Sequence, residues 1–562
     1  MPMTKTQLGG SRDSSPEFVD VLVVGMGFAG MYILYCLRER GLTARAFEAG
    51  GDVGGTWYWN RYPGCRVDVD SVQYSYNFSE ELTREWQWTE KFASQPELLR
   101  YAIHVADRFD LRRDAKFDTR VISAEFDEEA NFWTLRTDKG DVASAPYCIM
   151  AIGSLSTPYK PPFPGIEDFR GEWYHTGAWP HEEVDFSGKR VGIIGTGSTG
   201  IQAIPVVAAE AEHLTVFQRT PQYTTPARNR PMAPGEQRQF NAHRTEWHDE
   251  VRSTFSAMTG FPMPTRTIHE DTPEERRTYL EKRWEEGGMP QAMLAAYKDV
   301  RVDVEANTAV ADFVRGKIRD IVKDPDVAGR LCPPKDLPIG SKRPPIDTDY
   351  YETFNRDNVA LVDIKRAPIE RVTAGGIKTA NAEYELDAII FATGFDAMTG
   401  SLLAIDIRTS HGASLKDAWS DGPDTYLGLM VAGLPNLFMI NGPGSPSVKA
   451  NMIITIEHHA DWILDLIDHL AAEDFNRVEA TERAQTDWVE HAREVAEATL
   501  MPVADSWYVG ANVPGKKRVY MPYFGGFDRY RKLCDEIAAD GYRGFVLSRA
   551  ETTDTASSAA AE

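Results

Sequence analysis

Two glycine-rich turns, each between a short apolar strand and a helical pattern, constrain the fold of this chain more than any other feature. The first reads Gly25-Met-Gly27-Phe-Ala-Gly30 and the second reads Gly195-Thr-Gly197-Ser-Thr-Gly200. At this spacing the first glycine permits a tight turn, the second lets the backbone approach a pyrophosphate, and the third allows close helix packing. The sequence therefore predicts an α/β protein with two Rossmann-like dinucleotide-binding domains.

The residue that ends the strand after each turn indicates which nucleotide the turn binds. At the same distance from the last glycine, the first unit has Glu48, whereas the second has Gln218 followed by Arg219 and Thr220. A carboxylate at this point accepts hydrogen bonds from the adenosine ribose, and an arginine binds a 2′-phosphate. The second unit is therefore predicted to bind NADPH, with Arg219 at its phosphate.

Two such sites imply hydride transfer from NADPH to a second cofactor, for which a flavin is the natural acceptor. We therefore expect FAD in the first unit. The chain has 5 cysteines, and none of them forms a C-x-x-C pair. A dithiol redox centre, a disulfide framework and a structural zinc site are not expected, and no metal site is predicted. The electrons must then pass to molecular oxygen or to a separate protein.

Charge and hydropathy limit the possible partners and locations. A net charge of −23 argues against a nucleic-acid partner, since phosphate backbones need a basic surface. The apolar stretch 21–37 is interrupted by three glycines, which argues against a membrane span, and residues 1–18 lack the apolar core of a signal peptide. We expect a cytoplasmic protein without membrane partners that acts on a small molecule, as a monomer or weak homo-oligomer.

The order of strand-like and helix-like segments predicts how the domains divide the chain. Strand-to-turn segments at 147–153 and 388–394 would carry the chain across between domains, and helical spacing fills the region from 228 to 335, as at 272–296 and 311–321. Further helices are expected over 453–472, as an amphipathic helix, and near 530–539. The predicted organisation is a disordered N-terminus (1–14), an FAD domain (15–152 and 388–549), an NADPH domain (153–227 and 336–387), a helical insertion (228–335) and a disordered tail (550–562).

Two longer motifs give a specific resemblance. Between the nucleotide folds the chain reads Phe169-Arg-Gly171-Glu-Trp-Tyr-His175-Thr-Gly-Ala-Trp179-Pro180, which matches F-x-G-x-x-x-H-x-x-x-W-[PD]. A second motif runs from Gly54 to Asp68. With these motifs the chain resembles the type I Baeyer–Villiger monooxygenases over residues 21 to about 549, and within them the phenylacetone, steroid and large-ring cyclic ketone enzymes.

The resemblance implies a reaction and two catalytic residues. The family uses FAD, NADPH and O2, by way of a C4a-peroxyflavin, to convert ketones (cyclic, aryl or steroid-like) to esters or lactones. Arg343 falls where the family has its mobile active-site arginine, and Asp68 where it has the carboxylate partner of that arginine. The alternatives are a flavin-containing N- or S-monooxygenase, a non-oxygenating NADPH-dependent flavin reductase and a nucleotide sensor without turnover.

The resemblance and the turns together assign cofactor residues. The predicted FAD site comprises Gly25, Gly27, Phe28, Ala29, Gly30, Glu48, Gly55, Thr56, Trp57, Asp68, Tyr74, Val121 and Met452. The predicted NADP site comprises Arg66, Thr196, Gly197, Ser198, Thr199, Gly200, Gln202, Arg219, Thr220, Lys342, Arg343 and Trp507. Among the fingerprint residues Phe169, Gly171, His175 and Trp179, we expect His175 to couple the domains or to pack, and Trp179 to be a packing anchor.

One residue departs from the family pattern. The loop Gly442-Pro-Gly-Ser-Pro-Ser-Val-Lys449-Ala-Asn451 borders the substrate pocket in relatives, and Lys449 is an unusual charge there. The side chain points either to solvent or inward. An inward lysine would make acidic or strongly polar ketones plausible substrates.

Overall fold

The computed structural model describes residues 17–260, 264–288 and 292–550, so the predicted disordered termini lie outside the described residues, apart from residue 550. The first part of the chain, up to residue 150, forms most of the first of two nucleotide-binding units. In chain order its elements are β1 (Glu17–Phe18), β2 (Val21–Val24), α1 (Phe28–Glu39), β3 (Ala44–Phe47), α2 (Thr56–Trp59), α3 (Glu80–Glu85), α4 (Gln95–Arg108), β4 (Ala115–Lys116), β5 (Val121–Asp127), β6 (Phe132–Thr137), β7 (Val142–Ala145) and β8 (Tyr147–Met150).

The middle of the chain builds the second unit and the helices inserted into it. Its elements are β9 (Glu172–His175), β10 (Arg190–Ile194), α5 (Ser198–Glu210), β11 (His213–Gln218), β12 (Thr225–Pro226), α6 (Glu236–Ala242), α7 (Arg244–Val251), α8 (Pro273–Glu286), α9 (Val304–Ile321), α10 (Pro325–Leu331), β13 (Ile346–Asp347), α11 (Tyr350–Thr353), β14 (Val359–Asp363), β15 (Ile369–Thr373), β16 (Gly376–Thr379), β17 (Glu383–Glu385) and β18 (Ala388–Phe391).

The last part of the chain returns to the first unit. Its elements are α12 (Gly400–Leu403), β19 (Asp406–Thr409), α13 (Leu415–Ala418), β20 (Leu437–Met439), α14 (Met452–Ala472), β21 (Arg477–Ala480), α15 (Glu482–Glu497), α16 (Phe527–Ala539) and β22 (Phe545–Ser548). In the part of the chain that the structure describes, no helix is both long and apolar enough to span a bilayer.

Two parallel five-stranded sheets form the centres of the two units. The first has the strand order β20-β8-β2-β3-β4 and the second has β14-β11-β10-β18-β9. In each sheet the strand before the glycine turn, β2 or β10, is the central strand. The strand that follows the next helix, β3 or β11, lies on one side of it, and a later strand, β8 or β18, lies on the other. This is the point in a parallel sheet at which the crevice for a ligand opens beyond the carboxyl ends of the strands.

A mixed sheet of order β1-β7-β6-β5-β19 lies beside the first parallel sheet. Its inner face packs in one core with alternate residues of β2 and β8, including Leu22 and Cys148. The pairing of β19 with β5 shows that the chain has rejoined the first unit by residue 406. The strands of this unit therefore come from two separate parts of the chain.

The predicted boundary at residue 388 falls one strand too early. Strand β18 pairs in parallel with β10 on one side and β9 on the other, so it belongs to the second sheet. After β18 the chain crosses back next to the outgoing segment: the Tyr159 amide donates to the Gly394 carbonyl and the Asp396 amide donates to the Thr157 carbonyl. A buried strand keeps all of its backbone groups paired, so the change of unit comes only after the strand ends.

The predicted helices are present, with one difference. Between 272 and 296 the helix ends at Glu286, because Gly287 and Gly288 both have positive φ and turn the chain away. Helix α14 covers the predicted segment 453–472 and is amphipathic with a wide buried face. Helices α1 and α16 pack against it, and its exposed residues Asp465 and Asp468 lie with Asp461 on the remaining side. The remaining predicted helices near 311–321 and 530–539 are confirmed by α9 and α16.

The fingerprint between the two sheets holds the crossing segments in place. His175 ends β9, and its Nε2 lies 3.1 Å from the Tyr159 carbonyl and 3.2 Å from the Thr393 hydroxyl, while its Nδ1 accepts from the Gly177 amide. Burial lowers the pKa of His175, which favours this neutral form. Trp179 is buried and its ring lies 5.1 Å from that of Tyr174. These contacts link both crossings to the second sheet.

Candidate functional site

A single cleft of about 910 Å³ lies between the two units and contains both glycine turns in its walls. It opens beyond the carboxyl ends of β2 and β10, where the sheet topology places a ligand. All the predicted cofactor residues line this cleft except Gly30 and Gly200. The fingerprint residues Phe169, Gly171, His175 and Trp179 do not line it.

The third glycine of each turn packs against the first glycine instead of facing the cleft. A Cβ atom on Gly30 would collide with the carbonyl oxygen of Gly25, and one on Gly200 would collide with that of Gly195. Helices α1 and α5 can therefore approach their strands closely only with glycine at these positions. The helix N-terminus is then directed at the cleft, where it favours a pyrophosphate.

The second glycine of the first turn is covered by another glycine pair. A Cβ on Gly27 would lie 3.4 Å from the Cα of Gly55, and a Cβ on Gly55, which has a φ of 52°, would lie 2.8 Å from the Cα of Gly27. The Gly54 amide donates to the Met26 carbonyl and holds this loop on the turn. The first turn is thus covered by a second backbone in contact with it, and no side chain lies between the two, which suits the close approach of backbone amides to a pyrophosphate.

Glu48, which directly follows β3, accepts hydrogen bonds from backbone amides of the first glycine turn and of its own loop. One carboxylate oxygen accepts from the Met26 amide at 2.7 Å, and the other accepts from the Gly50 amide at 2.7 Å. The side chain is buried, and burial raises the pKa of its carboxyl despite these hydrogen bonds. Each oxygen retains a second acceptor position for a ribose hydroxyl, so the geometry suits the role predicted for Glu48.

The second turn has the same backbone pattern around an open centre. The amide of Gly195 donates to the Phe217 carbonyl, as the amide of Gly25 does to that of Phe47. A Cβ on Gly197 would have no atom within 4 Å. Thr196 is held by its hydroxyl, which donates to the Thr220 carbonyl at 3.2 Å. The second turn therefore faces the cleft without a cover from the first unit.

A basic group lies where β11 ends. Arg219 is exposed and lines the cleft with Lys342, whose pKa is lowered by burial and by the positive charge of Arg219. Gln218, at the position of Glu48, is buried and donates to the Arg330 carbonyl, so the end of this strand itself carries no negative charge. Two cations without an acid at the end of the strand are suited to a 2′-phosphate.

Arg343 and Asp68 come from different units and, among the described residues, form the one ion pair of which both members line the cleft. The guanidinium binds both carboxylate oxygens, with Nη2 at 2.9 Å from Oδ1 and 2.7 Å from Oδ2, and Nη1 donates to the Val448 carbonyl at 2.8 Å. Burial acts to lower the pKa of Arg343, but Asp68 and Tyr508 outweigh it, so the pKa is raised. The arginine is therefore a fixed positive charge held at three points.

Side-chain amides in the cleft fix the backbone next to several of its residues. The side chain of Gln222 donates to the Arg343 carbonyl at 2.9 Å, and Gln202 donates to that of Arg66 at 3.1 Å. The side-chain Nδ2 of Asn512 donates to the Phe395 carbonyl at 2.7 Å, which fixes the loop of Trp507 on the returning segment. Gln222 is close to Arg219 in sequence, but no pattern in the sequence indicated its contact with Arg343.

The residues present fit two dinucleotides with a reactive centre between them. The closed turn with Glu48 is suited to the adenosine and pyrophosphate of FAD, and Asn441 lines the cleft with both side-chain amide atoms buried and unpaired among the described residues. Buried polar atoms of this kind usually bind a partner. The open turn with Arg219 and Lys342 is suited to NADPH, and Arg343 lies in the wall that the two cradles share.

Comparison with known proteins gives one consistent result. Residues 19–225 match the family model described as flavin-binding monooxygenase-like. The chain is 44% identical to a Baeyer–Villiger monooxygenase of Pseudooceanicola batsensis over 532 residues (94% of this chain and 96% of that protein), and 44% identical to an acetone monooxygenase (methyl acetate-forming) of a Gordonia species over 537 residues (95% and 100%). A solved structure, an oxidized steroid monooxygenase bound to NADP, superposes with a TM-score of 0.90 at 49% identity, covering 95% of this chain and all of the other.

Proposed function

The chain belongs to the Baeyer–Villiger monooxygenases, and on that premise we propose that Arg343 and Asp68 carry its ketone chemistry in a cleft shared by FAD and NADPH. The enzyme is an FAD- and NADPH-dependent monooxygenase that uses O2 to convert ketones to esters or lactones. When bound, the nicotinamide supplies the hydride and the flavin supplies the activation of oxygen.

The assignment of each cofactor to one turn is supported by charge and enclosure. Glu48 receives two backbone amides in the closed turn, and its carboxylate would bind the ribose hydroxyls of FAD. Arg219 and Lys342 would bind the NADPH 2′-phosphate in the open turn. Trp57, Tyr74 and Met452 line the same cleft beside the ion pair and would enclose the flavin ring, while Trp507 lines it on the side of Lys342 and would contact the nicotinamide ribose.

The role of Arg343 follows from its charge and its restraint. As the ketone is converted, negative charge develops on its carbonyl oxygen, and a pre-positioned cation in a site shielded from water stabilises that charge. The guanidinium remains protonated at any working pH, and Asp68 with the Val448 carbonyl holds its orientation. The observation that carries the proposal is this bidentate pair in the wall common to both cradles.

His175 acts as a positioning residue. It lies outside the cleft and contacts Tyr159 on the outgoing crossing and Thr393 on the returning one. A neutral imidazole between two crossings transmits the position of one unit to the other, and it has no access to a substrate in the cleft. This supports the coupling role rather than acid–base catalysis.

The experiment compares NADPH consumption with ester formation in Arg343→Ala. Hydride transfer from NADPH does not involve the ketone, so it does not need the positive charge of Arg343, and NADPH should still be oxidised. The ester yield should fall by roughly 100-fold or more, and hydrogen peroxide should form in its place. Arg477→Ala is the matched control, since Arg477 forms an ion pair of similar burial with Glu128 outside the cleft. Equal ester yields in Arg343→Ala and wild type would refute the assignment.

A reducing, cytoplasmic location and a monomeric or weakly homo-oligomeric state are also proposed. All five cysteines lie in the described part of the chain and none is in a disulfide, which suits a compartment that keeps thiols reduced. Light scattering at several concentrations tests the assembly, and fractionation of the native host tests the location.

A further inference from the structure

The loop 504–521 forms the part of the cleft wall next to Lys342. The residues that it contributes to the wall are Asp505, Ser506, Trp507, Asn512 and Pro514. The carboxylate of Asp505 is a charged neighbour of Lys342, which is assigned to the NADPH 2′-phosphate. The loop is therefore placed to contact the same dinucleotide as the second glycine turn, which has no cover from the first unit.

The base of this loop is fixed by packing. Tyr508 and Met521 are buried in one apolar cluster with Phe524, and the Met521 amide donates to the Tyr508 carbonyl. The Lys449 ammonium lies 4.5 Å from the centre of the Tyr508 ring, so of the two orientations that the sequence left open for Lys449 the inward one is found. These contacts hold the two ends of the loop, but none of them involves its tip, residues 511–516.

The tip is held instead by two polar side chains. Nδ2 of Asn512 donates to the Phe395 carbonyl at 2.7 Å. The Lys516 ammonium donates to Oδ1 of Asp396 at 2.5 Å and to the Ala397 carbonyl at 2.8 Å. The three partners are consecutive residues of the segment that returns to the first unit. The tip is thus tied to one short piece of backbone.

That piece of backbone is itself fixed where the two crossings meet. The Asp396 amide donates to the Thr157 carbonyl on the outgoing crossing. Only 14% of the Lys516 side chain is exposed, so its charge is largely removed from water and depends on Asp396 for compensation. Because loss of one partner would leave the other uncompensated, the ion pair favours a single position of the tip.

Resting on the proposed function, we propose that Lys516 is a positioning residue that holds this loop closed beside bound NADP. Neither Lys516 nor Asp396 lines the cleft, so the pair acts through the loop and not by contact with a ligand. A loop that is already in position lets NADP bind without the cost of ordering it. Without the pair, the loop would be closed for only a fraction of the time, and the affinity for NADP would fall by that fraction.

The test measures binding of NADP⁺ to the oxidised, FAD-bound enzyme by titration calorimetry, which needs no ketone turnover. In Lys516→Met the Kd for NADP⁺ should rise about tenfold, as expected when the tip holds its position for about one tenth of the time. Lys516→Arg retains a charged donor and should restore most of the affinity. Lys517→Met is the matched control, because this adjacent lysine pairs with the exposed Asp421 instead of the returning segment, and its Kd should not change.

Further readouts separate positioning from general damage. The flavin content of Lys516→Met should equal that of wild type, and flavin reduction at saturating NADPH should keep its rate while KM for NADPH rises. A double-mutant cycle with Asp396→Asn should be non-additive, so the double variant should bind NADP⁺ no more weakly than Lys516→Met alone. If Lys516→Met fails to fold, Asp396→Asn alone provides the test, with a rise in Kd in the same direction.

The outcomes distinguish this proposal from the proposed function. A Kd in Lys516→Met equal to that in Lys517→Met would overturn the role of Lys516, as would additive effects in the cycle or a loss of flavin together with NADP⁺ affinity. Each of these results leaves ketone oxygenation by the wild-type enzyme intact. Failure of the wild-type enzyme to bind NADP⁺ or to oxygenate any ketone would instead remove the proposed function, and this proposal with it.

Discussion

The two glycine turns have nearly the same backbone and very different surroundings. In both, the first glycine donates to the strand that follows, and the third glycine packs on the carbonyl of the first. Over Gly27, however, lies Gly55 from a separate loop, whereas the space over Gly197 is free to 4 Å. The same phosphate-binding turn thus becomes a closed site or an open one through an element distant in sequence. A closed site is suited to a cofactor that stays bound, and an open one to a cofactor that exchanges.

The largest effect is expected when the cover of the first turn is disturbed. In Gly55→Ala the new Cβ would lie 2.8 Å from the Cα of Gly27, at a φ of 52° that side chains rarely adopt. The purified protein should therefore contain little flavin, with occupancy reduced by roughly tenfold or more, and should unfold at lower temperature. Absorbance of bound flavin and thermal unfolding measure both effects.

Gly197→Ala is the matched substitution in the open turn. Its Cβ meets no protein atom within 4 Å, so flavin content should stay as in wild type and only KM for NADPH should rise. Equal loss of flavin in the two variants would contradict the distinction between a closed and an open turn.

The next-largest effect is expected at the residues that end the strand after each glycine turn. Arg219→Ala should lower the preference for NADPH over NADH by roughly 10- to 100-fold, because a charge-assisted contact to the 2′-phosphate is lost. Steady-state kinetics with both nucleotides measures the ratio. Arg366→Ala is the control, since this arginine is strongly exposed, pairs with Asp363 and does not line the cleft. A preference unchanged in Arg219→Ala would place the phosphate elsewhere.

The smallest effect is expected for Glu48→Gln. A glutamine offers one oxygen, so one of the amides of Met26 and Gly50 loses its acceptor, but the backbone is not displaced. We expect the flavin dissociation constant to rise about tenfold and the free energy of unfolding to fall by about 1–3 kcal/mol. Flavin titration of the apoprotein and denaturant unfolding provide the values.

Gln218→Leu is the corresponding change in the second unit. It removes only the hydrogen bond to the Arg330 carbonyl, so flavin affinity should not change. A loss of flavin affinity as large as that in Glu48→Gln would contradict the assignment of FAD to the first turn and of NADPH to the second.

Much of the cleft could be predicted because its signals are local. The spacing of three glycines and the residue at the end of the next strand depend on backbone sterics within a few tens of residues, and Gly25, Glu48 and Arg219 were found in this way. The resemblance to a known family added Asp68 and Arg343, which composition and periodicity do not indicate. Gln222 and Asn441 could not be found from sequence, because the partner of Gln222 lies 121 residues away and Asn441 is brought into the wall of the cleft only by the packing of distant segments.

The errors have a common physical origin. The boundary at 388 was drawn where a strand-like pattern begins, but only hydrogen bonding to β10 and β9 shows which sheet receives β18. The helix beginning at 273 was extended beyond Glu286 because helical spacing continues, while Gly287 turns the chain.

The sequence by itself determined the two strand–turn–helix units, the residue that ends the strand after each turn and the lack of a C-x-x-C pair. These properties are encoded by residues close together in the chain. Only the tertiary structure decided that Asp68 meets Arg343 across 275 residues, that Gly55 covers Gly27 and that Lys449 points inward among cations. Contacts of this kind depend on how whole elements pack, and a charge next to a turn has no fixed direction until that packing is complete.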